Sequence, residues 1–588
     1  MIFLNKYIKK YWKFFCLAIV CLTVEALCDL MQPTIISKIV DIGVAEKRMD
    51  YVINKGLLML MITAIGAMGA ISRNIISSNV SQKFGAELRA DLFRKIQGMS
   101  FENLDNFDTA SLVTRLTNDV TQVQNFVNGL MRIFVKAPLL CIGSIIMAIR
   151  LNPFMSLIFL AVIPIVGLLI FLNMKIGYPF FIKIQKRLDR VNSVMREYLA
   201  GVRVVKAFNR FKYETERFEK SNKELSDVSI KAMSVIAMFP PSIIFVVNMG
   251  IVALIWIGGI RVNSGNMQVG QIIAFINYMT QISFSLMIIS NVFTMFVRAR
   301  ASVERIGEVF NQENNMSSIK KSKSQSIHKI TKVEYPNIKG KIDFENVYFS
   351  YSSASEEHVI KNISFTCEKG ETVGIIGSTG TGKSTLVSLI NRFYDVTSGT
   401  IKVDNINVKD MDMKKLRDKI ALVPQNNILF SGTVIDNIRW GNKDAAIKDI
   451  QKVADVSQAH EFISSLPEGY NTVLGQRGVN LSGGQKQRIS IARALIKKPE
   501  ILILDDCTSA VDVTTEVKIR EALKVYSQNL TCIVIAQRIT SIMGADRIIV
   551  LDNGEIVGKG KHEDLIKNCN VYKEIFESQI GDIKAIGS

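Results

Sequence analysis

The sequence has 588 residues, too many for a single hydrophobic core, with 48% apolar residues and a formal net charge of +19. The apolar residues concentrate before about residue 300 and the remainder reads as an ordinary soluble domain, so two halves adapted to different solvents are expected. Lys and Arg flank apolar runs instead of forming a patch on a soluble face, which excludes nucleic acid as a partner and points to membrane orientation.

Residues 1–13 alternate apolar and basic side chains and lack a small-residue cleavage site, so no removable signal is expected. The pattern predicts an amphipathic helix on the cytoplasmic membrane face, with Lys6, Lys9, Lys10 and Lys13 toward the headgroups. Six stretches, approximately 14–36, 55–78, 129–149, 154–173, 235–260 and 271–297, meet the requirement of about 20 apolar residues per helical span. An even number leaves both termini on one side. The segment from Lys175 to Lys231 carries 14 Lys and Arg, against one each near Arg150 and Arg261, which places the long segments and both termini in the cytoplasm.

Between spans two and three, and again between four and five, lie about 50–60 polar residues with helical periodicity and almost no Gly or Pro. They predict long helices projecting into the cytoplasm, with residues 107–120 and 201–214 near the far turns, where a cytoplasmic partner would touch. Glu25 and Asp29 share one helical face of the first span, where a charge costs about 2.5–3.5 kcal/mol, so they are expected either to line a cavity or to pair with Lys136. Asn277, Gln281 and Ser285 form a polar stripe in the sixth span beside Phe275, Met279, Phe284 and Met287, as a cavity lining or as plain helix packing. The eight cysteines include no C-x-x-C pair and are read as reduced thiols.

The expected domains are a membrane region over 1–310, a Ser-, Lys- and Asn-rich linker over 311–340, and a soluble domain over 341–588. In the soluble domain, Gly377, Ser378, Thr379, Gly380, Thr381, Gly382, Lys383 and Ser384 spell G-x-x-x-x-G-K-[ST] between an apolar strand and an apolar helical run that begins with Thr385. Backbone N–H groups of such a loop face phosphates, Lys383 reaches the terminal phosphates and Ser384 ligates Mg²⁺, so ATP with Mg²⁺ is the expected ligand pair. About 120 residues on, the apolar strand 501–504 ends in Asp505, a Mg²⁺-side carboxylate.

Leu481, Ser482, Gly483, Gly484 and Gln485, followed by a helical run and then by this strand, resemble the signature order of ABC-type ATPases. With six preceding spans, nearly the whole chain is similar to a bacterial ABC exporter half-transporter of the multidrug type. The resemblance implies an α-helical six-span domain with long cytoplasmic extensions, followed by an α/β P-loop ATPase domain. It further implies that Tyr351 stacks on adenine, that Gln425 contacts Mg²⁺ and senses the membrane domain, and that Ser509 to Asp512 cross a dimer interface. The signature segment would then contact nucleotide on a partner chain, so function requires a dimer.

Two positions depart from the family pattern. Hydrolysing members carry Glu after the strand-ending Asp, as general base or water-orienting group, where this chain has Asp506; their switch histidine is Gln537 here. Gln476 also stands before the signature where Glu is usual. The pattern resembles the weakly hydrolysing subunit of heterodimeric ABC exporters. Export of amphipathic small molecules is the expected function. The alternatives are a lipid or lipid-precursor flippase and an ATP-gated channel or regulatory subunit, and peptide export is disfavoured because no peptidase domain precedes the first span.

Overall fold

The computed structural model describes residues 4–312, 338–351, 357–526 and 530–586. Its chain forms two compact units, Met1–Gly98 with Phe107–Gln312, and Met99–Asn106 with Glu313–Ser588. Most of the expected linker over 311–340 lies outside the described residues.

The first unit is helical. Its chain order runs α1 (Leu4–Lys38), α2 (Met49–Gln97), then after the short α3 (Phe101–Asp105), α4 (Thr109–Thr114), α5 (Val120–Gly129), α6 (Lys136–Leu151), α7 (Leu157–Ala200), α8 (Val202–Ala207), α9 (Phe211–Ala237), α10 (Phe239–Asn263) and α11 (Val269–Asn311). Among the described residues, six helical segments are long and apolar enough to cross a membrane. At 44 residues, α7 is about 66 Å long, roughly twice a bilayer core, so it continues well beyond the span. Pro240 and Pro241 at the start of α10 supply the break from α9. Inward side chains such as Phe159, Phe275, Tyr278, Met279 and Ile282 form one core, while Leu60, Leu160, Phe245 and Trp256 remain exposed, as lipid-facing positions would be. Gly143 lets α1 approach α6, since a Cβ there would lie 2.3 Å from Leu30 Cδ1.

Three expectations change. The N-terminal residues do not form a separate surface helix: α1 runs unbroken into the first span, Lys6 pairs with Asp91 at 2.6 Å, Lys10 pairs with Glu87, and Tyr7 donates to Asp91 at 2.7 Å. Carboxylates on α2 thus take the charges assigned to headgroups, leaving Lys9 and Lys13 exposed. Of the two options for Glu25 and Asp29, the pairing with Lys136 is formed, and Arg73 joins it. Arg73 Nε lies 3.0 Å from Glu25, Lys136 Nζ lies 2.6 Å from Glu25 and 3.0 Å from Asp29, and Arg73 also donates to the Arg132 carbonyl at 2.7 Å. The polar stripe of α11 divides: Asn277 is exposed and bonds its own helix, Gln281 accepts from Ser144 at 2.9 Å, Ser285 is buried, and Phe275 and Met279 belong to the core.

The segment that groups with the second unit is Met99–Asn106, just before the expected 107–120. Phe101 packs on Phe393 with ring centroids 4.6 Å apart, and Asp105 accepts from Tyr394 at 2.7 Å. At the other turn, α8 and its flanks leave Val204, Phe208 and Tyr213 exposed.

The second unit is α/β. Strands β1 (Ile342–Phe349), β2 (Ile360–Cys367), β4 (Ser398–Val403) and β5 (Ile406–Asn407) form an antiparallel sheet in the order β2-β1-β4-β5. The larger sheet, β12-β11-β3-β10-β9-β6, joins β3 (Thr372–Ile376), β6 (Ile420–Val423), β9 (Ile501–Asp505), β10 (Thr531–Ile535) and β11 (Arg547–Asp552) in parallel, with β12 (Glu555–Gly560) antiparallel at one edge. A small pair, β7 (Gly432–Thr433) and β8 (Val473–Leu474), stands apart. Every residue of β9 is buried, as the continuous apolar run of an interior parallel strand requires.

Replacing Glu25 by Gln leaves Arg73 and Lys136 without their shared counter-charge. The expected loss is about 3–5 kcal/mol of stability, read as a lower unfolding temperature of the reconstituted protein, with a smaller loss for Asp29→Asn because Asp29 is a third exposed.

Candidate functional site

The phosphate loop leaves the end of β3 and enters helix α12 (Lys383–Ile390). Gly380 and Gly382 adopt φ of +86° and +88°, and a Cβ on Gly377 would lie 2.1 Å from the Leu551 carbonyl, so the loop's shape demands glycine. The Lys383 ammonium is drawn into the loop, donating to the carbonyls of Gly377 at 2.8 Å and Ser378 at 2.6 Å. Ser384 donates to Asp505 at 3.1 Å, which joins the helix start to the end of β9. Gln425, two residues beyond β6, donates to Asp506 at 3.1 Å.

These groups surround a cavity of ≈ 410 Å³ that Tyr351, Thr379, Thr385 and Gln537 also line. The Tyr351 hydroxyl is 2.8 Å from Thr385 Oγ1, and its ring meets Phe349 and Tyr394 edge-on at 5.0 and 5.2 Å, which leaves it half-exposed at the cavity rim. Burial pushes the Asp505 and Asp506 carboxyls above the usual carboxylate range, partly offset by the bonds from Ser384 and Gln425. Burial likewise lowers the Lys383 ammonium, against the pull of both aspartates. A hydroxyl and a carboxylate bonded to each other, with the Gln425 amide lining the same cavity, make a donor set that fits Mg²⁺, and the glycine loop fits phosphate.

Asp506 sits at φ +46°, a left-handed conformation unusual for a side-chain-bearing residue, and is only 8% exposed. Its carboxylate accepts from Gln425 and from the Gln537 backbone, so it is held between these two residues. The Gln537 side chain is exposed.

The signature residues lie elsewhere on the same unit. Ser482 caps helix Gly483–Leu495 in a reciprocal box with Gln485. A Cβ on Gly484 would meet the Ala510 carbonyl at 2.8 Å, and Gln487 spans Ser509 and the Ala510 N–H at 3.3 and 3.1 Å. Signature and interface loop are therefore one rigid piece. Asp512 closes it by capping the following helix through Thr514 and Thr515. Glu25, Asp29, Asn277 and Gln281 belong to the helical unit.

Three supporting residues carry no motif. Gln487 joins signature and interface loop. Glu516, 6% exposed, receives Thr508, Ser541 and Arg538. Gln579 brackets the switch segment by donating to the Gln537 carbonyl at 2.7 Å and accepting from the Ile539 N–H at 2.8 Å. Polar residues on helices that meet the site from 20 to 40 positions away leave no periodic signal in a sequence.

A family model described as ABC transporter transmembrane region matches residues 15–286, and one described as ABC transporter matches residues 360–509. The uncharacterized ABC transporter ATP-binding protein YfiB of Bacillus subtilis is 40% identical over 98% of both chains. The ATP-dependent lipid A-core flippase of Syntrophus aciditrophicus is 34% identical, covering 87% of this chain and 83% of its own. A solved bacterial Atm1-family ABC exporter with ATP bound shares the fold, with a TM-score of 0.79 over 97% of this chain and 98% of that one at 22% identity.

Gly484→Ala should push the interface loop away. The expected result is a fall of about 10- to 100-fold in ATPase turnover of the assembled transporter, with unchanged titration of a fluorescent ATP analogue into this chain's own cavity.

Proposed function

The chain belongs to the ABC transporter family as a half-transporter, one membrane region and one ATPase domain in a single polypeptide, and on that premise we propose that it exports hydrophobic or amphipathic small molecules within a heterodimer whose site on this chain binds ATP and cleaves it slowly. Half-transporters of this family work as dimers in a membrane. The asymmetry of Lys and Arg between Lys175 and Lys231 supports a cytoplasmic ATPase domain in the cell membrane.

One observation carries the proposal. The binding groups are complete, whereas the two positions responsible for cleavage are a shortened, engaged carboxylate and an uncharged amide. Tyr351 is placed to stack on adenine, and the loop N–H groups and Lys383 to hold the phosphates. Ser384, Asp505 and Gln425 would hold Mg²⁺, which supplies neutralisation of phosphate charge when bound. Water attack requires a carboxylate that reaches past the metal side. Asp506 is one methylene short of Glu and bonded to Gln425, and a misplacement of about 1 Å can cost on the order of 10²-fold in rate. Gln537 can hydrogen-bond a phosphoryl oxygen but cannot carry a positive charge to it. The partner chain would bring its own Glu and His, and the segment Leu481–Gln485 of this chain would complete the partner's site.

A flippase reading is favoured by the activity for which the Syntrophus relative is named. Proteoliposomes separate the two: ATP-dependent accumulation of a cationic dye supports drug export, and ATP-dependent movement of a labelled lipid between leaflets supports the flippase.

Asp506→Glu combined with Gln537→His should raise ATP turnover at this chain's site by about tenfold or more in the purified assembly. Unchanged turnover would contradict the role assigned to the two positions.

A further inference from the structure

Helices α7 and α9 run antiparallel beyond the apolar part of α7, with Gly177 beside Ile236, Arg187 paired to Glu224 at 2.6 Å and Glu197 paired to Arg217. Between them opens a cleft of ≈ 860 Å³, lined by Lys183, Lys186, Arg187 and Arg190 of α7 and by Arg217 and Lys220 of α9. Two of these cations are balanced inside the unit, Arg187 by Glu224 and Arg217 by Glu197 and Glu214. Among the described residues, Lys183, Lys186, Arg190 and Lys220 have no ion pair, and Lys183 instead lies over the Phe180 ring at 5.6 Å. Cations gathered in one cleft repel one another, and an anion with several acceptor oxygens relieves that repulsion.

The location specifies the anion. Tyr178 and Phe181 are 65% and 57% exposed immediately before Lys183, and Ile230 and Met233 are 60% and 63% exposed on the facing stretch of α9. An aromatic and apolar rim followed within one to three turns by basic residues is the arrangement of a membrane surface, where aromatic rings sit at headgroup level and Lys and Arg meet anionic headgroups. We propose that the α7–α9 cleft binds the phosphoryl headgroup of an anionic lipid, with Lys186, Arg190 and Lys220 as its principal contacts and the exposed rim alongside its acyl chains. Arg190 supplies paired N–H donors to phosphoryl oxygens and the two lysines act as point charges. The site is independent of the ATP cavity and of the slow-cleavage proposal.

The test uses the full chain in phosphatidylcholine nanodiscs doped with photoactivatable phosphatidylglycerol, reading labelling of peptides from α7 and α9. Arg190→Gln with Lys220→Gln should lower that labelling by about tenfold or more. Arg190→Lys with Lys220→Arg should retain it, as should Lys9→Gln with Lys13→Gln, which removes two exposed cations elsewhere. Equal labelling in the Gln pair and the unaltered chain, or equal labelling by a photoactivatable phosphatidylcholine, would overturn the proposal. A second arm adds inorganic pyrophosphate to the protein in lipid-free detergent. Protection of Lys186 and Lys220 from amine modification by pyrophosphate, without phosphatidylglycerol labelling, would overturn the lipid assignment in favour of a soluble phosphate compound.

Discussion

Parallel pairing of β6, β9, β10 and β3 is the constraint on which the site depends. It brings four strand ends to one edge of the sheet, and the loops leaving them carry Gln425, Asp505 with Asp506, Gln537 and the phosphate loop. Register does the rest. Val423 lies opposite Leu504, so Gln425 and Asp506, each two residues further on, meet and bond; Ile535 lies opposite Asp505, so Gln537 emerges above the same carboxylates. Because β10 separates β3 from β9, Ser384 reaches Asp505 from a helix start, and its hydroxyl ties loop to strand. Ligands bind beyond the carboxyl ends of parallel strands because that edge alone collects loops from several strands.

This edge holds two kinds of position. Lys383 is bonded to the loop carbonyls of Gly377 and Ser378, and Ser384 is bonded to Asp505 at the end of β9. Asp506 and Gln537 sit just beyond the strand ends, where a side chain can change while the sheet stays intact. The signature segment is fastened to Ser509 and Ala510 through Gln487, and Ser509 in turn donates to the Asp506 carbonyl at 3.1 Å, so the signature helix is tied to the segment that follows β9.

Much of this was legible in the sequence because it is local. The phosphate loop, the strand 501–504 and the six apolar spans each declare themselves within 4 to 27 consecutive residues, and the fold built from them is the one expected. Contacts between distant segments were not legible. Lys6 with Asp91 makes the expected surface helix the start of α1, and Phe101 with Phe393 and Asp105 with Tyr394 group Met99–Asn106 with the second unit. Lys136 was foreseen as one of two options for Glu25, but Arg73 was not, since a lone arginine inside the span 55–78 gives no sign of the neighbour it will meet. Gln579 falls in the same class: its amide bonds the Gln537 carbonyl and the Ile539 N–H, the latter 40 residues away in the chain.

The central claim is that this chain holds ATP without cleaving it promptly. Its most direct test is a single-turnover reaction of the purified two-chain transporter with photo-crosslinkable ATP, quenched after one round and resolved by chain. The account predicts intact triphosphate on this chain and diphosphate on its partner. Equal fractions of diphosphate on both chains would contradict it.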